Sequence, residues 1–472
     1  MHIYVHDKVN LKLVQGLAAM PVASPDLHDA EIDIAFPSVS QAAIYFIDNK
    51  LIMLSVRKYD IMVRKNRGST MTKSEIEAAI DEQAAEAAID LGMKRDAFHD
   101  LPCVRKFATI VTGVRRCGKS TLLAQWAHES GMRVLSVMFD DLRLMNFTSS
   151  DFTLLGKIIT ERKPQAIALD EIQDIDGWEL FVNGLLNRGY AVFVTGSNAR
   201  LLSRELGTKL TGRHLDLHLQ PFSYPEFVRF KNYEGNGESL DEYLRTGGFP
   251  AYVASGNRQV LVELFNDIIY RDIVVRYNLA NTAPIKQLAG YLLAHIGTRV
   301  SPSRLKDAIH VQSAKTVLEY FDHLTECCLI RRLEQYSESP KARMLAPKKI
   351  YACDVALAAI FDFGKRLNLG HKLENVVFWH LLRKAKDIYY FVDGHGRECD
   401  FVVEDQDGSF SVAQVCYELT DDNREREFAG LASAARRFGL SSGVIITCRQ
   451  SDEAIHDGCD ISIVPAFNYL SA

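Results

Sequence analysis

The residues whose types and spacing could do chemistry lie in the run GVRRCGKS, from Gly113 to Ser120. Gly113, Gly118 and the pair Lys119-Ser120 match the phosphate-loop spacing G-x-x-x-x-G-K-[ST], in which glycines let backbone N–H groups wrap a phosphate. A lysine at this place reaches the β- and γ-phosphates, and a serine hydroxyl binds Mg²⁺, so the spacing predicts a site for ATP and Mg²⁺. The predicted nucleotide contacts are Gly113, Arg116, Cys117, Gly118, Lys119, Ser120 and Thr121.

A pair of carboxylates, Asp170 and Glu171, ends the apolar run AIALDEI about fifty residues after the lysine. In a nucleotide site one carboxylate holds Mg²⁺ through water and the other polarises the attacking water. We assign the first role to Asp170 and the second to Glu171. An acidic pair that only caps a strand is the alternative, but the phosphate loop upstream favours the catalytic interpretation.

Two further polar residues are candidates for catalysis, each with an open alternative. Asn198 ends the run AVFVTGSN and would orient the lytic water, or it would simply cap the next helix. Arg213 precedes the run LDLHL and would act as a finger on the γ-phosphate of a neighbouring subunit. Arg204 is the second choice for that role, and a solvated arginine is the ordinary alternative. A finger acting in trans would require at least a dimer, which the sequence does not establish.

The elements that must position these residues alternate between strand and helix. An apolar strand leads into the phosphate loop and a helical pattern leaves it. Further strands are predicted at 134–140, 166–172, 191–198 and 215–219. Because the carboxyl ends of parallel strands meet at one edge of a sheet, Thr195 and Ser197 would lie there beside the loop and the acidic pair. The pattern predicts an α/β fold with the parallel sheet of a P-loop NTPase.

The whole chain has 472 residues, which suggests about three domains. Its 47% hydrophobic and 24% charged residues are typical of a globular protein, and a net charge of -5 means that any DNA-facing surface must be local. Nine scattered cysteines without a C-x-x-C pair indicate neither a zinc site nor a disulfide framework. No window approaches the eighteen or so apolar residues of a membrane span. We therefore expect a soluble, cytoplasmic protein without a membrane partner.

Residues 1–70 carry strand-like runs but no motif, and we class them as an extension of unknown role. Directly after them Thr72 and Glu75 have the spacing of a capping box, which predicts a helix from Ser74 to Leu91. Translation beginning at Met71 is a hypothesis that N-terminal sequencing of natively expressed protein would test.

Between residues 280 and 336 the pattern predicts a winged helix, a helical module followed by a strand. Ser313 would cap the recognition helix and expose Lys315 at its start, while Arg331 and Arg332 would lie at the wing. Because the presumed recognition helix carries few basic residues, both DNA and a protein remain candidate partners.

Taken in order, the motifs GVRRCGKST, ALDEI, TGSN and LTGRHLDLHLQPFSYPEF resemble the AAA+-type core of a large bacterial and archaeal group of ATP-binding proteins. The C-terminal half of that group carries a domain of unknown function, and the runs DIIYRDIV, KIYACDVALA, LENVVFWHLLR and RECDFVVE also match. The resemblance covers roughly residues 72–470. It implies a helical lid in which the segment RTGGFPAYV would place Gly248 and Pro250 against the adenine.

The last hundred residues resemble the restriction-endonuclease-like fold in their order of helix, three strands, helix and strand. In that fold a helix Glu, a strand Asp and a Glu/Gln-x-Lys on the next strand assemble around Mg²⁺, and the matching positions are Glu374, Asp400 and Gln414. Cys416 stands where the lysine should be. Without that cation we expect a degenerate module with no nuclease activity, unless another residue such as Lys372 or Arg397 takes over its role.

The predicted architecture is an N-terminal extension, a P-loop ATPase core, a helical lid, a winged helix and a degenerate nuclease-like α/β domain. Their predicted bounds are 1–70, 71–221, 222–280, 281–340 and 341–472. The predicted function is Mg²⁺-dependent ATP hydrolysis that couples nucleotide state to DNA or protein binding by the C-terminal half. A nucleotide-switched binding protein with negligible turnover and an ATP-dependent DNA nuclease are the alternatives.

Overall fold

The computed structural model describes residues 71–472 except 88, 90, 198–211 and 362–368, together with the backbone of three strands in the N-terminal extension. These strands are β1 Ile32–Phe36, β2 Val39–Ile47 and β3 Lys50–Ser55. They form an antiparallel sheet in which β2 is the central strand. The chain divides into two units, residues 1–69 and 70–472. The extension of unknown role therefore contains a small sheet of its own.

The first part of the second unit consists of a parallel five-stranded sheet and the helices that flank it. Its elements are α1 Lys73–Ala87, β4 Ala108–Thr112, α2 Lys119–Glu129, β5 Val134–Met138, α3 Phe152–Arg162, β6 Ala166–Asp170, α4 Trp178–Asn187, β7 Ala191–Gly196 and β8 His214–His218. The strand order is β5-β6-β7-β4-β8, with every neighbouring pair parallel. Because helices cover both faces, β4, β6 and β7 are buried along their whole length and consist mainly of apolar residues. The predicted α/β fold with a parallel sheet is confirmed.

Two apolar clusters hold this sheet between its helices. On one face α1, α3 and α4 bury side chains that include Ile80, Leu155 and Leu185. On the other face Trp126 of α2 packs on Phe193 of β7, with 4.2 Å between the ring centroids. Burial of each large apolar side chain contributes about 1.5–3 kcal/mol, so the sheet forms a rigid base for the polar residues at its edge.

The helix α1 begins with the predicted capping box. The backbone N–H of Thr72 donates to Oε2 of Glu75 at 2.7 Å, and the N–H of Glu75 donates to Oγ1 of Thr72 at 3.3 Å. The helix ends at Ala87, four residues before the predicted end. The start of translation at Met71 stays a prediction.

Short helices occupy the range predicted as a lid. They are α5 Tyr224–Lys231, α6 Gly237–Thr246, α7 Pro250–Ser255, α8 Gln259–Asp267 and a π-helix Ile268–Val275. Gly248 lies so close to Phe222 that a Cβ would stand 2.1 Å from the carbonyl oxygen of that residue. Its N–H donates to Oδ2 of Asp354 at 2.7 Å, and Pro250 begins α7. Gly248 thus packs against the chain itself, and contact of Gly248 or Pro250 with adenine stays a prediction.

Helices and short strands alternate in the range predicted as a winged helix. These elements are α9 Ala283–Ala294, β9 Arg299–Val300, α10 Pro302–Ala308, α11 Ala314–Glu326, β10 Ile330–Gln335, α12 Pro340–Leu345 and β11 Lys348–Ala352. Strand β11 pairs antiparallel with both β9 and β10. Ser313 caps α11 as predicted, since its hydroxyl accepts from the N–H of Thr316 at 3.2 Å.

The C-terminal half adds further strands to the sheet of β9, β10 and β11. Its elements are α13 Val355–Ile360, α14 Leu369–Leu382, β12 Asp387–Val392, β13 Glu398–Glu404, β14 Phe410–Val415, α15 Asp421–Phe438, β15 Ser442–Thr447, β16 Asp452–His456, β17 Cys459–Pro465 and α16 Ala466–Tyr469. The strands form one nine-stranded sheet in the order β16-β17-β15-β14-β13-β12-β10-β11-β9. Strand β10 pairs parallel with β12, so the predicted boundary between residues 340 and 341 falls inside a single sheet. Across the described residues, no helix has the length and apolarity that spanning a membrane requires.

Candidate nucleotide site

Two glycines shape the predicted phosphate loop, and both have a positive φ. Gly113 follows β4 with a φ of 155°, and a Cβ at this position would lie 2.1 Å from the carbonyl oxygen of Leu219. Gly118 has a φ of 103° and is the N-cap of α2. A larger residue at either position would clash or be strained. The loop therefore leads into the N-terminus of a helix through two positions that favour glycine, and its contact with a phosphate stays a prediction.

Lys119 directs its ammonium back into the loop. Its Nζ donates to the carbonyl oxygens of Gly113 at 3.0 Å and Val114 at 3.3 Å, and it lies 3.7 Å from Oε1 of Glu171. The side chain is only 4% exposed. A buried ammonium that faces a glycine-bordered loop is positioned to bind an anion.

Asp170 and Glu171 follow one another at the end of β6, and their surroundings shift their pKa values in opposite directions. Burial, and after it the charge of Glu171, raise the pKa of Asp170, although hydrogen bonds with Ser120 and Thr195 oppose the rise. Burial would also raise the pKa of Glu171, but the charge of Lys119 leads the opposing interactions and leaves that pKa lowered. Neighbouring carboxylates whose pKa values are pushed apart are suited to different roles.

The structure brings the predicted metal ligands together. The side chain of Ser120 acts on Asp170 and opposes the rise in its pKa, so the two residues are neighbours. Thr195, at the end of β7, donates through its hydroxyl to Asp170 and accepts from the N–H of Glu171 at 3.1 Å. The ends of β4, β6 and β7 therefore place two hydroxyls, two carboxylates and the Lys119 ammonium at one edge of the sheet.

The other predicted contacts of the loop face different surroundings. The guanidinium of Arg116 is 44% exposed and lies 2.7 Å from Oδ2 of Asp267 in α8. Cys117 is buried and its thiol donates to the carbonyl oxygen of Leu219 at 3.4 Å. Thr121 is half-buried in the first turn of α2. Side-chain contact of these residues with a nucleotide stays a prediction.

The two predicted catalytic residues outside the loop have different outcomes. Asn198 lies outside the described residues, as does Arg204. Arg213 is described, and its guanidinium donates to Oδ1 of Asn187 at 3.0 Å and to Oδ1 of Asn183. Both asparagines belong to α4 of the same chain, so action on a neighbouring subunit would require these hydrogen bonds to break.

Arg95, which sequence reasoning missed, ties the phosphate loop to the segment after β8. Its guanidinium is buried and donates to the carbonyl oxygens of Cys117 at 2.8 Å and Gln220 at 2.7 Å. It also donates from Nε to Oε1 of Glu226 at 2.8 Å. Glu226 lies in the resemblance motif PFSYPEF, but no local pattern could have paired it with an arginine 131 residues upstream.

The lid also contacts the loop through residues that sequence reasoning left without a role. Arg115 binds Asp272 of the π-helix through two hydrogen bonds, from Nη2 to Oδ1 at 2.9 Å and from Nε to Oδ2 at 3.1 Å. The hydroxyl of Ser197, just after β7, lies 3.4 Å from the same Oδ1. Two further ion pairs join the π-helix region to the core: Arg271–Asp140 at 3.3 Å and Arg276–Asp174 at 3.2 Å. The resemblance included the run DIIYRDIV, which was the only sequence signal for Asp272.

A second polar cluster lies in the C-terminal half, around the side chains predicted from the nuclease-like fold. The buried ammonium of Lys349, on β11, lies 2.9 Å from Oε1 of Glu374 and 2.7 Å from Oδ1 of Asp400. It also lies 2.7 Å from Oε1 of Glu398. Burial opposes the charge on Lys349, but the charges of Asp400 and Glu374 leave its pKa raised. A cation thus stands between the two predicted carboxylates, although the predicted motif lacks one.

Lys349, Glu374 and Asp400 line a cavity of about 1180 Å³ in the C-terminal half. The remaining predicted residues, Gln414 and Cys416, line the same cavity. Gln414 accepts from the N–H of Asp400 at 3.0 Å and donates to Glu427 at 2.6 Å. The thiol of Cys416 donates to the carbonyl oxygen of Glu418, and burial raises the pKa of that thiol to about 11. Cys416 is therefore neutral near pH 7, and Lys349, on a strand outside the motif, supplies the positive charge.

The predicted DNA-facing residues lie in a charge-balanced surface. Lys315 is 85% exposed at the start of α11, 3.7 Å from Glu319 one turn later. Arg332 lies 2.8 Å from Asp322, and Arg331 is exposed. Two of the three cations therefore already have acidic neighbours, which weakens their attraction for phosphate.

Models of protein families match three consecutive parts of the chain. They are an AAA domain at residues 105–228, a domain of unknown function (DUF8612) at residues 237–367 and a second domain of unknown function (DUF4143) at residues 369–468. The order, an AAA domain followed by domains of unknown function, agrees with the resemblance seen in the sequence.

Relatives of similar length occur in an archaeon and a bacterium. An uncharacterised protein of Methanocaldococcus jannaschii is 28% identical over 368 residues, covering 73% of this chain and 82% of that protein. An uncharacterised protein of Haemophilus influenzae is 29% identical over 347 residues, covering 68% and 85%. Among solved structures, the replication initiator DnaA bound to AMPPCP and single-stranded DNA aligns with a TM-score of 0.25 and 15% identity, covering 55% of this chain and 93% of that one.

Proposed function

We propose that this chain, an AAA-type protein with a C-terminal domain of unknown function, hydrolyses ATP with Mg²⁺. We propose also that its nucleotide state controls what the C-terminal half binds. The observation that supports this most directly is the meeting of Lys119, Ser120, Asp170 and Glu171 at one edge of a parallel sheet. Open α/β sheets bind their ligands at this edge.

Each residue of the site has its own role in the proposal. Lys119 would bind the β- and γ-phosphates, Glu171 would orient and polarise the attacking water, and Ser120 and Asp170 would hold Mg²⁺. Bound Mg²⁺ would neutralise charge on the phosphates. Within the described part of the chain no group of three or more His, Cys, Asp or Glu side chains could hold a metal ion. Phosphate and water oxygens would therefore complete the coordination of Mg²⁺.

A multiple-turnover ATPase assay with and without Mg²⁺ tests the proposal. Lys119→Ala should abolish nucleotide binding and turnover, because the phosphates lose their buried positive charge. Lys157→Ala, on the exposed side of α3, is the matched control and should retain the wild-type rate. Equal rates for wild type and Lys119→Ala would reject ATP hydrolysis at this site. Binding without measurable turnover would instead favour the nucleotide-switched binding protein.

Hydrogen bonds between the lid and the C-terminal half support the coupling. Lys372 of α14 donates to the carbonyl oxygen of Leu244 in α6 at 2.8 Å. Asp354, just before α13, accepts from the N–H of Gly248 at 2.7 Å. Helix α14 also carries Glu374 of the C-terminal cluster. A lid that moves with the nucleotide would therefore move elements that border the C-terminal cavity.

DNA is one candidate partner of the C-terminal half, through a winged helix formed by α9, α10, α11 and the ladder of β9, β10 and β11. If phosphates are bound there, the affinity for duplex DNA should fall steeply with salt. The combined replacement of Lys315, Arg331 and Arg332 by Ala should make that slope shallower. An unchanged slope, or no retention of DNA at low ionic strength, would favour a protein partner.

A second candidate function, cleavage of nucleic acid, is favoured by one observation. Lys349 provides the positive charge whose absence from the nuclease-like motif led us to expect an inactive module. Glu374 and Asp400 would hold a divalent ion, and Lys349 would stabilise the negative charge that develops on the attacked phosphate. Lys349 would first have to give up its short contacts with these carboxylates.

Cleavage assays on linear, supercoiled and single-stranded DNA, with Mg²⁺ or Mn²⁺ and with or without ATP, decide this second candidate. It requires cleavage that both Asp400→Asn and Lys349→Met abolish and that the exposed control Asp407→Asn retains. The absence of cleavage under every condition would leave the module as the inactive scaffold expected from its sequence.

A further inference from the structure

Asp272 is a buried carboxylate in an unusual position between the lid and the phosphate loop. Its side chain is 3% exposed, and it lies in the π-helix Ile268–Val275. A π-helical turn is rare and less stable than an α-helical one, and it occurs frequently at functional sites. The donors that reach the carboxylate, Arg115 and Ser197, both come from the carboxyl edge of the parallel sheet.

The contacts of Asp272 are of the kind that hold a phosphate. An arginine that donates two parallel hydrogen bonds fits the oxygens of a carboxylate and those of a phosphate, and a hydroxyl adds a further donor. Arg115 and Ser197 therefore present an anion site that a lid side chain fills in this structure.

Arg115 belongs to the phosphate loop itself, four residues before Lys119, which is proposed to bind the β- and γ-phosphates. Arg115 interacts electrostatically with Glu171, the residue proposed to orient the attacking water. A guanidinium in this loop that also interacts with the proposed water-orienting carboxylate would meet the phosphate that the water attacks.

We propose that Arg115 senses the terminal phosphate of ATP and that Asp272 is an intramolecular latch that competes with this phosphate for it. In the empty protein the Arg115–Asp272 pair holds the lid against the phosphate loop. Bound ATP takes over Arg115, Asp272 loses its partner, and the π-helix leaves the loop. ADP, without the third phosphate, leaves the latch closed. The inference rests on the proposed function, because it names the regulation of that same site.

The other ion pairs around the π-helix differ from the latch in their exposure. The side chains of Asp140 and Asp174 are 48% and 69% exposed, against 3% for Asp272. Exposed ion pairs contribute little, whereas the loss of one partner from a buried pair is strongly unfavourable. Competition for Arg115 would therefore control the lid more strongly than the outer pairs do.

The latch has a direct connection to the C-terminal half. The π-helix ends at Val275, and after a short turn the chain enters α9. Helix α9 packs against β11, the strand that carries Lys349, and against α13. Release of the π-helix would therefore reach the strand that borders the C-terminal cavity.

Equilibrium titration with fluorescent ATP and ADP tests the latch. Asp272→Asn keeps the shape of the side chain but removes its charge, so ATP should bind about tenfold or more tightly, while ADP affinity changes less than about threefold. The double variant Asp272→Asn with Arg115→Gln should lose this preference for ATP. Asp174→Asn, which removes the exposed ion pair with Arg276 next to the π-helix, is the matched control and should behave as wild type.

Hydrogen exchange of the wild-type protein provides a second measurement that does not depend on the folding of a variant. Amides of residues 268–276 should exchange about tenfold or more faster with a non-hydrolysable ATP analogue than with ADP. Unchanged ATP affinity in Asp272→Asn, or equal exchange with the two nucleotides, would overturn the latch. If wild type and Lys119→Ala alike failed to bind either nucleotide, the proposed function itself would fall, so the two failures are distinct.

Discussion

The nucleotide site and the C-terminal cluster both contain a buried lysine near carboxylates, but the two lysines are held differently. Lys119 donates to two backbone carbonyls and lies 3.7 Å from its carboxylate neighbour, Glu171. Lys349 lies within 2.9 Å of three carboxylates, each of which offsets its charge. The looser contacts leave Lys119 available to an incoming anion. The short ion pairs make Lys349 first of all a structural cation.

The strongest test of this difference is the stability of Lys349→Met. The substitution leaves the buried Glu374 and Asp400 and the half-buried Glu398 around an uncharged side chain, and the loss of one partner from a buried ion pair costs about 3–5 kcal/mol. We expect a fall of that size in the free energy of unfolding, measured by urea denaturation. Lys386→Met, at a side chain that is 50% exposed, is the control and should keep the unfolding free energy of wild type.

An unchanged unfolding free energy in Lys349→Met would contradict the structural role. It would mean that the cluster tolerates an uncompensated charge, and the contrast with Lys119 would disappear.

The division of roles within the nucleotide site predicts a smaller energetic effect for Glu171→Gln. Asp170 and Ser120 remain in place, so ATP should still bind, but the water loses the carboxylate that polarises it and turnover should fall about a hundredfold. Filter binding and steady-state turnover measured on the same preparation separate the two effects. Equal loss of binding in Glu171→Gln and Lys119→Ala would show that the acidic pair acts as one unit.

A third test concerns Asp354, whose hydrogen bond with Gly248 connects the C-terminal half to the lid. Burial raises its pKa from 3.8 to about 7, so the folded protein holds a proton on Asp354 that the unfolded chain releases above about pH 4. The free energy of unfolding should therefore fall as the pH rises from about 4 to 7 and then level off.

Asp354→Asn cannot ionise, so its stability curve should be flatter than that of wild type over the same pH range. We expect a difference of roughly 1–3 kcal/mol between the two curves across that range. The control Asp452→Asn, at a side chain that is 60% exposed, should follow wild type. A wild-type curve parallel to that of Asp354→Asn would show that the proton does not stay on Asp354 in the folded protein.

The sequence predicted those features that depend on short-range patterns. In the nucleotide site the loop spacing and an apolar strand that ends in two carboxylates identified residues that the fold brings together. In the C-terminal half the strand predicted at 398–404 is observed there, and the strand predicted at 387–393 ends one residue earlier. Such elements could be predicted because alternation of apolar residues and turn chemistry act over a few residues.

The missing features depend on pairs that are far apart in the chain. Arg95 meets Glu226 across 131 residues, Arg115 meets Asp272 across 157, and Lys349 meets Asp400 across 51. No periodicity or spacing rule connects such residues. For the same reason the sequence shows Cys416 at the motif position, whereas the cation that stands beside the carboxylates could be seen only in the folded chain.

The nine-stranded sheet has a consequence for how this protein can change in evolution. Strand β11 pairs with the strands of the preceding module, yet its Lys349 neutralises carboxylates on α14 and β13. Recombination between residues 340 and 341 would combine β10 from one parent with β11 from another. The new β11 would then have to pair with that β10 and also place its lysine among the carboxylates of α14 and β13. Exchange of one module alone should therefore disrupt either the pairing of β11 or the charge balance around Lys349.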